Sequence, residues 1–386
     1  MATWTVTYDE RTGLGDRRRQ RRKGGFATRK AAEAWFDGKK EQLERGFTGI
    51  NDKTTVADYL THWLAGLSVG DGTLRMYEAY ARLFIVPALG RVRLCDLQPS
   101  HLDEAKRAWA LRRKQTTRKE NERLVSGKSV RHAWTVLAVA LNRAKKRRII
   151  SFNPCEYVDA PRFERREMRG LDAATAQGYI QVFTDDMSIG AAVVVAIGSG
   201  LRRGELLALR WSDVDLEAGT VRVARAAERI VLHAGDPSKR LAETRFKEPK
   251  TQGSRRSIPL PAFAIERLKR HRREQLDRYK RLGLWRTNDS LVFDHAGEPW
   301  NPNTFGTEFV RRARRLKLPR VRLHDLRHSY ATLMLESGVD LKTVSQALGH
   351  STIRITADTY AHVTPAMQQS AAERLDRIIG RSRQTS

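Results

Sequence analysis

The spacing of apolar residues at the start of the chain predicts a small sheet packed on one helix. Residues 3–9 alternate with a period of two and carry β-branched and aromatic side chains, which is typical of a strand. Thr28 is a suitable N-cap for a helix over 29–45. That helix places apolar side chains on one side, namely Ala32, Trp35, Phe36 and Leu43.

A helical region is predicted after the polar, glycine-containing stretch 46–55. Its apolar residues recur at the spacing of helix faces, and Pro87 and Gly90 are expected to end the second helix. The last two helices carry many lysines and arginines on their polar faces. The predicted helices cover 56–64, 74–84, about 100–118 and 129–146.

The remainder of the chain mixes helices with short strands. Two prolines and a mixed-charge run at 153–170 are typical of a connection between domains. Beyond it, helical patterns flank alternating segments at 220–223 and 255–258. The predicted fold class is therefore a multidomain protein, mainly α with small β-sheets. It comprises a sheet-plus-helix domain at 1–48, a helical domain at 53–158 and an α+β domain at 168–386.

Composition adds a strong charge to this picture. The 386 residues include 72 Lys+Arg against 44 Asp+Glu, a net charge of +28, so the expected partner is a polyanion. Cys95 and Cys155 are the only cysteines, so neither a disulfide framework nor a cysteine zinc site is predicted. No apolar run is long enough for a membrane span and no secretory signal is recognisable, so a cytoplasmic protein is expected.

Basic residues are concentrated in two places, where contacts with a nucleic acid backbone are expected. Residues 101–150 alone hold 15 Lys+Arg and 4 Asp+Glu, a local net charge of +11. The alternatives are a disordered basic tail at the N-terminus and a generic RNA-binding protein. The candidate DNA contacts are Arg17, Arg18, Arg19, Arg21, Arg22, Lys23, Arg131, Lys145 and Lys146.

Four short motifs in the last domain carry candidate chemistry. The first is Gly200-Leu201-Arg202-Arg203-Gly204-Glu205, which joins an apolar helix to a new one. The second is His324-Asp325-Leu326-Arg327-His328, in which His324 and Arg327 share a helix face. The third is Leu348-Gly349-His350, and Tyr360 follows ten residues after His350.

In this order and company the motifs resemble those of the tyrosine recombinase family, in particular its phage-type and mobile-element integrases. The resemblance implies site-specific DNA recombination through a 3′-phosphotyrosyl intermediate and a Holliday junction. It also implies an arm-type DNA-binding domain at 1–48, a core-binding domain at 53–158 and a catalytic domain with a C-terminal tail helix at 168–386. The implied partners are double-stranded core and arm attachment sites, three further protomers in a homotetramer and an excisionase, with no cofactor.

The resemblance also implies residue roles. Arg202 and Arg327 form a clamp on the scissile phosphate, a task that suits the bidentate and permanently charged guanidinium. Arg203 is the alternative for the first clamp position, and Glu205 is expected to orient Arg202. Tyr360 is the nucleophile.

Two histidines and a lysine complete the implied catalytic set. His324 is expected to assist Tyr360, and His350 to donate to the phosphate or shape the site. Lys250, in the turn that follows Pro249, is expected to protonate the leaving oxygen, and Lys247 is the weaker candidate for that role.

Other functions remain open from the sequence. A type IB topoisomerase would use a similar clamp and tyrosine but reseal the same strand, and a catalytically silent regulator would bind DNA only. His324 and His328 have the spacing of two zinc ligands on a helix, but the glutamate of the HExxH motif is absent, so no metal is predicted.

Overall fold

The computed structural model describes residues 3–10, 19–44, 53–112, 124–163, 170–233, 240–248, 255–360 and positions 372, 373, 375, 376 and 379. The chain divides into two compact units, Met1–Arg166 and Glu167–Ser386. Mainly helical architecture with small antiparallel sheets is confirmed. Within the described ranges, no helix combines the length and the apolar character that crossing a bilayer requires.

The first unit begins with the predicted strand and helix. Strand β1 (Trp4–Glu10) pairs in antiparallel fashion with β2 (Arg19–Phe26), and α1 (Arg29–Glu44) follows. The Thr28 hydroxyl accepts a hydrogen bond from the backbone of Ala31, at 3.2 Å, as expected of an N-cap. Trp35 of α1 contacts both Tyr8 and Phe26, so the helix packs on the hairpin through aromatic rings.

The rest of the first unit is helical. The apolar faces of its helices enclose a hydrophobic core. In this core Trp63 stacks on Tyr77, and the Trp109 indole donates to the carbonyl of Phe84. Single 3₁₀ turns lie at Leu94–Asp96 and Pro154–Tyr157. The helices are α2 (Val56–Ala65), α3 (Asp71–Tyr80), α4 (Val86–Leu89), α5 (Pro99–Leu111) and α6 (Gly127–Lys146).

Two helix ends differ from the prediction. Pro87 does not end its helix, because a π-helical stretch at Ala81–Ile85 joins α3 to α4 and places the proline in the first turn of α4, where no backbone N–H is needed. Helix α5 ends at Leu111 rather than near residue 118, and residues 113–123 lie outside the described ranges.

The second unit is built around one fully buried helix, α8 (Gly190–Ser199), which contacts four other helices. A helix that is apolar on every side is a core helix, and its end at Ser199 brings the next residues into the site. Trp211 and Trp300 are buried in this unit. The helices are α7 (Ala173–Thr184), α8 (Gly190–Ser199), α9 (Arg203–Leu206), α10 (Ala262–Leu282), α11 (Pro302–Arg315), α12 (Leu323–Glu336), α13 (Leu341–Leu348) and α14 (Ile353–Tyr360).

Strands in this unit form three small antiparallel sheets. The two predicted strands are confirmed as β4 and β7, which pair with each other through Val221 and Ile258. The long β5–β6 hairpin is an addition to the prediction, because its charged residues hide the alternation. The strands are β3 (Val214–Asp215), β4 (Thr220–Val223), β5 (Ala226–His233), β6 (Arg240–Lys247), β7 (Arg256–Pro259), β8 (Asp294–His295) and β9 (Glu298–Pro299).

Candidate active site

Arg202 stands at the start of α9 and is tied to a buried carboxylate. Its backbone is extended, and its N–H donates to Glu205 Oε2 at 2.9 Å, while its side-chain Nη1 donates to Glu205 Oε1 at 2.7 Å. The Arg202 side chain is 39% exposed and that of Glu205 only 6%. The pair thus holds a solvent-facing guanidinium on a fixed, buried anion.

Arg256 on β7 is a second partner of Glu205, and the sequence analysis missed it. Its Nη2 donates to Glu205 Oε2 at 2.9 Å, and its side chain is buried. Burial works to raise the pKa of Glu205, but the hydrogen bonds and charges of Arg256 and Arg202 outweigh it and hold that pKa below its usual value. Glu205 is therefore ionised at neutral pH.

Three arginines converge on the end of α13. The final carbonyls of a helix have no partner within it and carry the negative end of its dipole. Here three successive carbonyls each accept from a different guanidinium. The contacts are Arg256 Nε to Ala347 O at 2.6 Å, Arg327 Nη2 to Leu348 O at 2.7 Å and Arg202 Nη2 to Gly349 O at 2.8 Å.

Arg327 is the most enclosed of these arginines. It lies on α12 and also donates from Nη1 to the carbonyl of Gly200, at 2.8 Å, where the buried α8 ends. Burial, followed by the positive charge of Arg202, lowers the pKa of Arg327 to about 9. Arg327 therefore remains charged at pH 7. It lies close to Arg202 because the two side chains donate to neighbouring carbonyls, those of Leu348 and Gly349.

Two glycines make this approach possible. Gly349 ends α13 with a φ of 62°, and a Cβ there would meet Arg256 Nη1 at 2.8 Å. A Cβ on Gly204 would lie 2.6 Å from the carbonyl oxygen of Ala227 on β5. Both glycines are required because another group occupies the space of a side chain.

Tyr360 ends α14, and its hydroxyl contacts His328. The distance from Tyr360 Oη to His328 Nδ1 is 2.9 Å, and the tyrosine is 4% exposed. Burial raises the pKa of Tyr360 to about 12 despite the nearby charge of Arg327. The family resemblance implies that His324 assists the tyrosine, but the histidine that contacts the hydroxyl is His328.

The two histidines of α12 stand one turn apart. Their rings meet edge to face, with centroids 5.1 Å apart. His324 is exposed on the cleft side, whereas His328 is 7% exposed. Burial and then the neighbouring His324 lower the pKa of His328 to about 4, and burial and the charge of Arg327 lower the pKa of His324. His328 is therefore neutral at pH 7.

His350 follows the αL turn at Gly349 and is oriented by α14. Its Nδ1 lies 2.8 Å from the hydroxyl of Thr356, which is fully buried four residues before Tyr360. Burial, together with the charges of Arg327 and Arg202, lowers the pKa of His350 to about 4. Because one ring nitrogen is engaged, the other is the one available to a ligand.

An open cleft of about 790 Å³ adjoins this cluster. Arg202 and His324 line one part of it, and Arg203, whose Nη2 donates to Asn303 Oδ1 at 3.2 Å, lines another. Arg203 therefore faces α11, away from the partners of Arg202, which favours Arg202 for the clamp.

Comparison with known proteins identifies the family to which these residues belong. Residues 163–367, just over half of the chain, match the phage integrase family. The chain belongs to that family. It is thus an enzyme of the tyrosine recombinase class, as the motifs implied.

Relatives of this phage integrase-family chain extend over nearly its whole length. A tyrosine recombinase XerC-like protein of Caldanaerobacter subterraneus is 29% identical, over 91% of this chain and 90% of its own length. The integrase of Mycobacterium phage L5 is 26% identical, over 90% of this chain and 88% of its own.

Two solved structures share its fold. The Tn1549 transposon integrase, determined with circular intermediate DNA, has a TM-score of 0.67 at 21% identity and covers 83% of this chain and 99% of its own. A lambda integrase tetramer bound to a Holliday junction has a TM-score of 0.54 at 17% identity, over 88% of this chain and 89% of its own.

Of the two lysines proposed for the leaving group of this integrase-family site, the structure describes Lys247. Lys250 is outside the described residues. Lys247, at the end of β6, forms an ion pair with Glu228 Oε1 at 2.5 Å. The pair engages Lys247 on the hairpin, so Lys250 stays the stronger prediction.

The predicted DNA-contact residues have varied surroundings. Arg17 and Arg18 lie outside the described residues, and Arg19, Arg21, Arg22 and Lys23 are on β2. Arg131 is exposed and donates to the carbonyl of Pro161 at 3.4 Å, and Lys146 is exposed at the end of α6. Lys145 forms an ion pair with Glu156 at 2.7 Å, so it must give up this carboxylate before it can bind a phosphate.

Among the residues that the structure describes, no cluster of three or more metal-ligating side chains occurs.

Proposed function

We propose that this chain integrates or excises a mobile DNA element by cleaving and rejoining DNA through Tyr360. The observation that carries the proposal is the convergence of Arg202 and Arg327 on the end of α13, beside His350. Tyr360, the last residue of α14, belongs to the same apolar cluster as Leu348 at that end of α13. Family membership supports the reaction class, and the residue roles are the proposal.

The first step exchanges one phosphate ester for another. The Tyr360 oxygen attacks the scissile phosphorus, the bond to the 5′ oxygen breaks, and a 3′-phosphotyrosyl linkage and a free 5′-hydroxyl result. The phenolic proton passes to a base or water, and the leaving oxygen takes a proton, which Lys250 would supply. In the second step the 5′-hydroxyl of the partner duplex attacks the linkage and the tyrosine oxygen leaves, so no external energy source is needed.

The clamp suits a phosphate because its donors are preorganised. Arg202 and Arg327 each use two of five guanidinium N–H groups in the contacts described above, which leaves donors for the two non-bridging oxygens. Fixed donors aimed at developing charge stabilise a transition state without reorganising. His350, oriented by Thr356, and His324, on the cleft wall, would add neutral donors.

The larger assembly follows from the same proposal. Residues 1–48 would bind arm sites, 53–158 and 168–386 would encircle a core site, and the tail beyond Tyr360 would dock on a neighbouring protomer. The lambda integrase tetramer on a Holliday junction supports four protomers on two duplexes. An excisionase partner and a cytoplasmic place of action belong to the proposal as well.

A two-duplex joining assay tests this function. Purified protein is incubated with two labelled duplexes that carry the element's attachment sites and with a supercoiled plasmid in a parallel reaction. Recombinant joints of the two labels, absent with Tyr360→Phe, are the expected result. Relaxation of the plasmid without joints would favour the topoisomerase, and tight binding without either product would favour the silent regulator.

A further inference from the structure

The nucleophile rests in a place where it cannot attack. Tyr360 packs in a small apolar cluster with Ala331, Leu335, Val344 and Leu348, and only 4% of it is exposed. An oxygen joined to a DNA strand cannot remain in such surroundings, because the phosphate and the sugar need space around it. The tyrosine must therefore leave this position to form the phosphotyrosyl bond.

His328 holds the hydroxyl in this resting place. Its Nδ1 is 2.9 Å from Tyr360 Oη, and its ring is almost completely buried. Both groups are neutral at pH 7, since the pKa of His328 is lowered to about 4 and that of Tyr360 is raised to about 12. The contact is thus a neutral hydrogen bond between protected side chains, whichever of the two atoms donates.

We propose that His328 is a positioning residue that stores the free Tyr360 hydroxyl and thereby weights the reaction towards rejoined DNA. The inference rests on the function proposed above. The hydrogen bond exists only while the tyrosine is free, because the tyrosine of the adduct has left the cluster. An interaction made in one state alone shifts the equilibrium towards that state by its differential free energy.

Loss of the contact should therefore favour the adduct. A typical net hydrogen bond corresponds to a change of roughly threefold to tenfold in an equilibrium constant. If His328 acted in the transition state instead, its loss would slow cleavage and rejoining by the same factor and leave their ratio unchanged. The ratio of the two rates separates a storage role from a transition-state role.

The experiment compares two substitutions that differ at Nδ1. His328→Asn keeps a hydrogen-bonding atom near the Nδ1 position, and His328→Leu removes it at similar volume. An intact duplex containing the crossover site recovered from wild-type adducts is incubated with each full-length protein. The covalent fraction at equilibrium and the rejoining rate are measured after denaturant quench.

The expected result is a covalent fraction raised about threefold to tenfold in the His328→Leu protein and close to wild type in the His328→Asn protein. An unchanged ratio in the His328→Leu protein, or a loss of adduct in both variants, would overturn the inference. Absence of adduct with the wild-type protein would instead overturn the proposed function, so the two failures are distinguishable.

A second measurement covers the case in which the leucine variant folds poorly. The thermal midpoints of the His328→Asn and His328→Leu proteins are compared in the wild-type and Tyr360→Phe backgrounds. The Asn variant should exceed the Leu variant only when the Tyr360 hydroxyl is present. An equal difference in both backgrounds would show that Nδ1 does not engage the tyrosine and would overturn the inference.

Discussion

Glu205 is the counterion that holds two arginines of the site in place. One buried carboxylate accepts from Arg202 and from Arg256, and these two arginines also donate to the carbonyls of Gly349 and Ala347 at the end of α13. A buried charge that loses its partner is costly, more so than the pair is favourable. Removing the carboxylate charge should thus disturb both arginines at once.

Substitution of Glu205 tests this arrangement. Glu205→Gln should lower the free energy of unfolding of residues 167–386 by roughly 3 kcal/mol, because buried Arg256 keeps its charge without a counterion. The matched control is Glu248→Gln, which breaks the exposed pair with Arg255, in which Glu248 is 79% exposed, and should change stability by less than about 1 kcal/mol. Urea unfolding measures both, and equal effects would contradict the account.

At the residue scale, the sequence predicted the residues proposed to act on DNA better than the residues that hold them in place. The motifs identify Arg202, Arg327 and Tyr360 because their order along the chain is itself the signal. Arg256 was missed because its partner Glu205 lies 51 residues earlier, and its other partner, Ala347, lies 91 residues later. His328 drew notice in the sequence only through its zinc-ligand spacing to His324, because spacing on a helix does not reveal which side chain a distant tyrosine reaches.

At the scale of elements, the site depends on where helices end. The carbonyl of Gly200, just after the buried α8, accepts from Arg327, and Arg202 is the N-cap of α9. Three arginines donate to the carbonyls at the end of α13. Periodicity predicted most helices and the strands β4 and β7. It did not predict the π-helical stretch at Ala81–Ile85, since hydrogen-bond spacing within a helix leaves little trace in the apolar pattern.

The close approach of α9 to β5 gives a test at this scale. Gly204→Ala should destabilise the protein by roughly 1 to 3 kcal/mol, because its Cβ would lie 2.6 Å from the Ala227 carbonyl oxygen and α9 would have to move. Gly178→Ala, inside α7 with no atom within 4 Å of the added Cβ, should stabilise by about 0.5 to 1 kcal/mol. Thermal midpoints of the two proteins should shift in opposite directions, and a shift of Gly204→Ala in the stabilising direction would refute the predicted clash.

At the scale of the whole molecule, buried neutral histidines make stability depend on pH. His271 and His328 both have a pKa lowered to about 4 by burial, against an ordinary value of 6.5. At pH 5 they are neutral when folded and protonated when unfolded, so unfolding takes up protons. Stability should therefore fall as the pH falls from about 6.5 to about 4.

Proton uptake measures this dependence directly. The slope of unfolding free energy against pH near 5 should include about two protons from His271 and His328. His271→Gln keeps a donor for the Val292 carbonyl, which accepts from Nε2 at 2.7 Å, and should lower the uptake by about one proton. An uptake that is the same in this variant as in the wild type would contradict the assignment of His271 as neutral.

The net charge of the whole molecule indicates the kind of partner that it binds. The excess of 28 positive charges predicts binding to a polyanion but no particular sequence, because phosphate contacts position a protein without reading bases. The chemistry, by contrast, depends on one hydroxyl.

The residue that becomes linked to DNA can be mapped by mass spectrometry. The wild-type protein, Tyr360→Phe and the surface control Tyr157→Phe are each incubated with sheared DNA from the source element, denatured and digested, and the DNA-linked peptide is identified by mass spectrometry. We expect a 3′-linked adduct on Tyr360 in the wild-type and Tyr157→Phe proteins and none in Tyr360→Phe. An adduct that persists in Tyr360→Phe, or that maps to another residue, would contradict it.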